Sequence, residues 1–100
     1  MNRLTLTVPY RDNEGNGLPE LHNKVKAFFN DTYGAYSAVS VQGNWLDPET
    51  GRCYPEDSLR YEVLVDEGIE SLYPITKEVK REAKQKCVLI TCEEVHVECQ

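Results

Sequence analysis

The sequence predicts an α+β sandwich with the element order β-α-β-β-α-β and both helices on one face of an antiparallel sheet. Three observations predict it. Ala35, Val39 and Val41 share one parity, and Leu59, Tyr61, Val63 and Val65 share one parity, so residues 37–66 read as two strands joined by the turn Asp47-Pro48-Glu49-Thr50-Gly51. A helical pattern lies on either side of this pair. A β-rich segment lies at each end of the chain.

In order along the chain, residues 3–10 form the first strand, with Leu4, Leu6, Val8 and Tyr10 facing one way and Thr5 and Thr7 the other. Pro9 lacks an N–H and marks a strand end or an edge. Residues 11–17 are a polar loop punctuated by Gly15 and Gly17. The first helix runs over residues 19–33. Pro19 suits its first turn, and Leu18, Leu21, Val25, Phe28, Phe29 and Thr32 form its apolar stripe. Gly34 stops it. The second strand spans residues 35–45, a connection covers 46–58, and the third strand spans 59–66. The second helix starts at Leu72, with Ser71 as its N-cap, because Pro74 is tolerated only in a first turn. After residue 87 the phase changes: Val88, Ile90 and Cys92 share even parity, whereas Val95, Val97 and Cys99 share odd parity. This favours a short terminal hairpin turning at Glu93-Glu94 over a bulge. The simplest closed solution is the ferredoxin-like arrangement with right-handed crossovers, possessing an extra C-terminal hairpin strand. Its second sheet face carries Thr5, Thr7, Tyr36, Ala38, Arg60, Glu62 and Leu64, which is only partly polar, so a homodimer or higher oligomer is expected.

One hundred residues suit a single domain, residues 1–100, and 40% apolar residues suffice for a modest core. The net charge of -6 argues against nucleic acid as a partner, because affinity for phosphates comes mainly from basic residues. Residues 1–9 alternate like a strand and lack the apolar core of a signal peptide, and no run is long enough for a bilayer. A cytoplasmic protein without membrane association is therefore expected, with Cys53, Cys87, Cys92 and Cys99 as reduced thiols.

The stretch Gly34-Ala35-Tyr36-Ser37, then Gly43-Asn44-Trp45-Leu46-Asp47-Pro48-Glu49-Thr50-Gly51, then Tyr61-Glu62-Val63 resembles a pattern in uncharacterised small proteins of phage and bacterial genomes. The resemblance implies a compact, intracellular, phage-borne domain, and no activity is carried over with it.

Catalytic and metal constellations are scarce. The cysteines form no Cys-x-x-Cys pair, so no zinc site is expected and Cys87, Cys92 and Cys99 read as small buried hydrophobes. His22 lies beside the stripe of the first helix and reads as solvated; His96 lies near the end; neither sits in a nucleophile motif. The acidic pairs fall at turns. Small nucleases of the CRISPR Cas2 type resemble the chain in length and element order. They imply an acid at the end of the first strand, where this chain has Val8-Pro9-Tyr10, with Asp12 beyond it. No cofactor motif is present.

One constellation remains. Tyr10, Arg11, Tyr36, Trp45, Arg52 and Tyr54 flank strand ends and the long connection, where binding residues gather on a rigid scaffold. Stacking rings with an Arg suit a small anionic, nucleotide-like ligand. The function expected is thus a non-enzymatic binding protein acting as a homo-oligomer. In a phage it would inhibit host defence by sequestering such a ligand or by blocking a host protein. The alternative is a small metal-dependent nuclease or hydrolase with a site built across a dimer interface.

Overall fold

The computed structural model describes all 100 residues. Its elements are β1 (Asn2–Pro9), α1 (Pro19–Tyr33), β2 (Ser37–Leu46), β3 (Cys53–Val65), a 3₁₀ turn (Ile69–Leu72), α2 (Tyr73–Glu82) and β4 (Ile90–Glu94). The four strands pair in the order β2-β3-β1-β4, antiparallel throughout. This is the expected α+β, ferredoxin-like arrangement.

Alternation on β1 decides the layers. Leu4, Leu6 and Val8 are fully buried against the helices, together with Tyr61 and Val63 of β3. From α1 come Leu21, Val25 and Phe29; from the second helical segment come Leu72, Ile75, Val79 and Ala83. Both helices therefore share one sheet face. Phe29 is the hub of the aromatic packing. Its ring lies 5.4 Å from Tyr33, 6.0 Å from Tyr36 and 5.6 Å from Tyr61, centroid to centroid. Gly34 ends α1 in the left-handed region at φ 80°, and its N–H donates to Asn30 O.

Five expectations are corrected. First, β2 is turned over. Its register pairs Ala38 with Tyr61 and Val39 with Arg60, so Tyr36 and Ala38 face the helices and Val39 and Val41 face the open side. The reason is Tyr36, whose ring packs on Phe29 and Tyr61. Second, β3 begins at Cys53 rather than at 59, leaving only residues 47–52 between the strands. Asp47 closes this turn: its carboxylate accepts from Glu49 N, and its carbonyl accepts from Gly51 N. Third, Ser71 is not a side-chain cap. Its hydroxyl donates to Gly68 O at 2.8 Å and meets the Tyr33 hydroxyl at 2.6 Å, while Pro74 sits in the first turn of α2. Fourth, no terminal hairpin forms. Glu93 and Glu94 stay in β4, paired with Arg3 and Asn2, and the odd-parity residues beyond them form no strand. Fifth, all four cysteines are exposed. Cys92 lies on the short edge strand β4, Cys87 precedes that strand, and Cys99 follows it, so no helix covers any of them.

Strand lengths shape the molecule. β1 ends at Pro9, opposite Ser58, whereas β3 continues back to Cys53 with β2 alongside. The β2–β3 hairpin thus overhangs the sheet. The extents are 50 × 25 × 22 Å and the radius of gyration is 14.6 Å, against about 13 Å for a compact chain of this length. Trp45 and Leu46 on the overhang are 50% and 60% exposed. The two sheet edges differ. β4 is five residues long and carries Glu93 and Glu94; β2 is ten residues long and has no charged residue and no proline. No helix is long and apolar enough to cross a membrane.

Replacing Phe29 with Ala should cost about 3–5 kcal/mol, the usual range for emptying a buried ring site. Urea unfolding followed by circular dichroism measures it, and a loss under about 1 kcal/mol would show that Phe29 is not the hub.

Candidate functional site

Where β1 stops, the edge of β3 loses its neighbour, and a cleft of about 720 Å³ opens there. One wall is the loop that follows β1, contributing Tyr10, Arg11, Asp12, Asn13 and Gly15. The other is the overhanging hairpin, contributing Trp45 and residues 54–57. The volume falls in the range of small-molecule sites.

Local chemistry builds each wall. Asp12 folds its loop around its own carboxylate: Oδ1 accepts from Glu14 N and Asn16 N, both at 2.9 Å, and Oδ2 accepts from Asn16 Nδ2 at 3.3 Å. The Asn16 backbone bond, more than any other contact, holds the Asp12 carboxyl below the usual carboxylate range. Lys84 anchors the loop to the segment after α2, with Nζ 2.7 Å from Glu14 Oε2 and 3.7 Å from Asp12 Oδ2. Asn13 adds a bond to Lys84 O at 2.7 Å. Lys84 has φ 56°, the only non-glycine residue in the left-handed region. On the hairpin, Trp45 and Tyr54 are register partners whose rings stack at 4.7 Å and 22°. Glu56 Oε1 accepts from Gln85 Nε2 at 3.4 Å.

Four of the six residues singled out from the sequence meet in this cleft: Tyr10, Arg11, Trp45 and Tyr54. The other two lie elsewhere. Tyr36 packs beneath the sheet on Phe29 and Tyr61. Arg52 stands exposed at the hairpin turn, where its carbonyl accepts from Asp47 N. Sequence reasoning missed Asp12, Asn13, Glu56 and Asp57 as cleft residues, having read the acids as solvated turns. The signal was present in the symmetry of Trp45 and Tyr54 about the turn, which forces the strand to start early and draws Glu56 and Asp57 beside the rings. The lining carries three carboxylates against one guanidinium; Asp12 is taken by its own loop and by Lys84, which leaves Glu56 and Asp57, and Arg11 is partly used up, with Nη1 donating to Gly15 O at 3.2 Å. The charge left over in the lining is negative. Trp45 and Glu56 also border an adjoining groove of about 810 Å³ that runs over Val41 and Leu89 on the open sheet face.

Beneath the cleft lies a residue read as solvated. His22 is only 7% exposed. Nε2 donates to Pro9 O at 2.9 Å, which leaves Nδ1 to accept from the Tyr61 hydroxyl at 2.7 Å. The Tyr10 ring stacks on it at 5.5 Å. The sequence held the clue: residues 22, 25 and 29 are spaced as one helical stripe. Burial lowers the His22 pKa, outweighing its bond to Pro9, and Lys26 adds to the lowering. Burial likewise raises that of Tyr61. Among the residues of the chain, no group of three or more His, Cys, Asp or Glu side chains is placed to hold a metal ion.

No protein-family model and no curated protein matches this chain. Solved structures share its fold, two phage SAM lyase structures among them. One is a phage SAM lyase in complex with S-methyl-5′-thioadenosine, at 17% identity and TM-score 0.66, covering 93% of this chain and 80% of that one. The other is a phage SAM lyase in the apo state, at 17% identity and TM-score 0.66, covering 92% and 78%.

His22 gives up its proton more readily in the folded chain than in the unfolded one, where it titrates near 6.5. Its contribution to stability is therefore complete above that value and lost as the pH falls below it. The thermal midpoint should drop between about pH 7.5 and about pH 5.5. His22→Gln, which does not titrate, should show a smaller drop in the same scan.

Proposed function

We propose that the protein binds S-adenosylmethionine in the Tyr10–Trp45–Tyr54 cleft and breaks the bond between its sulfonium sulfur and the amino-acid chain: the bonding pair stays on sulfur, which leaves as S-methyl-5′-thioadenosine, and the chain's own carboxylate closes on the freed carbon to give a lactone. The supporting observation is a stacked aromatic pair beside three carboxylates, at the exit of β1, in a fold shared with phage SAM lyases. Adenine stacks on aromatic faces, and a sulfonium is a cation that acidic side chains and π faces both favour. Glu56 is the carboxylate assigned to the sulfonium, since Gln85 holds it at the cleft. The reading replaces an anionic ligand with a cationic one, and simple sequestration with turnover.

In this proposal the chain is phage-borne, works in the cytoplasm of the infected cell and inhibits the host by removing a methyl donor. It does so as a homo-oligomer. The overhanging hairpin, with Trp45 and Leu46 exposed, and the open-face residues Val39 and Leu64 are the surfaces that a second copy would cover. Sequestration without turnover is the second reading. It is favoured by a cleft lining that contains no His or Cys to move a proton.

The test is to incubate the purified protein with S-adenosylmethionine and follow S-methyl-5′-thioadenosine by chromatography, with calorimetric titration of the nucleoside alongside. Binding with release supports cleavage; binding alone leaves sequestration; neither overturns both. Trp45→Ala should weaken nucleoside binding about 5- to 150-fold, the worth of one base stacked on one ring. Glu56→Gln should lower turnover at least about tenfold while nucleoside affinity changes less.

A further inference from the structure

We propose that His22 is a positioning residue for the cleft: its neutral ring holds Tyr10 in the wall, and protonation of that ring releases the wall. The inference rests on reading the cleft as the nucleoside site.

The geometry around Tyr10 carries it. Tyr10 is the first residue after β1, and it lines the cleft. Its N–H donates to Asp57 O and its carbonyl accepts from Leu18 N, both at 3.0 Å. Those bonds fix the backbone and leave the ring to be placed by two contacts. The hydroxyl meets Ser40 Oγ at 3.1 Å, and the ring face lies on His22 at an angle of 26°. His22 also takes the carbonyl of Pro9, the residue just before Tyr10. One imidazole thus supports both the ring of Tyr10 and the peptide that leads into it.

The support depends on one protonation state. A carbonyl only accepts, so Nε2 must carry the hydrogen that reaches Pro9. Nδ1 is then the acceptor for Tyr61, whose side chain is fully buried. A second proton on the ring would face the Tyr61 O–H. The tyrosine hydrogen would have to turn away from the nitrogen that now accepts it, and the buried bond would be lost. The groups facing His22 do not ease this. Tyr10 comes from the end of β1 and Tyr61 from β3, both neutral, and Lys26 comes from α1 itself and repels an added charge. No carboxylate is among its hydrogen-bond partners. The charged ring is relieved by moving toward solvent, which is close at hand, and Tyr10 then loses its backing.

The experiment titrates S-methyl-5′-thioadenosine, a neutral probe, into wild type, His22→Gln and His22→Ala between about pH 5.5 and about pH 8, by calorimetry. Wild-type affinity is expected to fall about tenfold or more across one proton. His22→Gln retains a donor and an acceptor without a titrating ring, and its affinity should be flat with pH. His22→Ala should be weakened at every pH. In parallel, the ring resonances of tyrosine-labelled protein without ligand are followed through the His22 titration. Tyr10 should broaden or shift with His22 in wild type and stay fixed in His22→Gln. A flat wild-type affinity, or a Tyr10 resonance indifferent to the His22 titration, overturns the proposal. If the nucleoside binds at no pH, the cleft reading fails by itself, and the Tyr10 resonances alone decide the role of His22.

Discussion

The structure depends on the loss of pairing at Pro9. β1 is the central strand that ties β3 to β4, and it stops opposite Ser58 while β3 has five more residues to run. Pro9 has no N–H to offer and its carbonyl is captured by His22, so the last bond from this segment to β3 is that of Tyr10 N to Asp57 O. The cleft follows from that stop. The chain must leave the sheet, so a loop forms beside the abandoned edge of β3. The hairpin beyond it has no third strand, so it projects. A cleft between loop and projection is the geometric remainder.

The cleft walls are stiffened by different means. The hairpin wall has a ten-pair ladder and a stacked Trp45–Tyr54 pair. The loop wall has one isolated bridge, Arg11 to Gly17, with Asp12 gathering its own backbone and Lys84 reaching across from the segment after α2. Those contacts are exposed ion pairs and short-range turn bonds, each worth little by itself. The loop is therefore the softer wall, and His22 below Tyr10 is its only anchor with both ring nitrogens engaged in the interior.

Periodicity revealed β1, α1 and the core face of β3, because there one face is fully buried and the alternation is unbroken. It misread β2, where Val39 and Val41 look like core and lie on the open side. A single aromatic, Tyr36, sets that register through its packing on Phe29, and local alternation has no means of weighing a contact to a distant helix. The same blindness hid the start of β3: Pro55, Glu56, Asp57 and Ser58 carry turn chemistry, yet they run straight because β2 pairs with each of them. At the site, the rings were legible from residue type, whereas the carboxylates were not. Asp12 and Glu56 lie 44 positions apart, and only the sheet brings their segments together.

The β2 edge has a consequence for how copies of this chain behave together. Its ten residues offer unpaired backbone with neither charge nor proline to repel a visitor. The overall charge of -6 opposes a second chain at that edge, over a reach of about 8 Å at physiological salt. A concentrated, salty solution would therefore favour lateral accretion, strand laid against strand, by molecules that have not unfolded. A partner copy seated along β2 would act chiefly as a sheath, and its value to the protein would lie in colloidal restraint as much as in any site it completes.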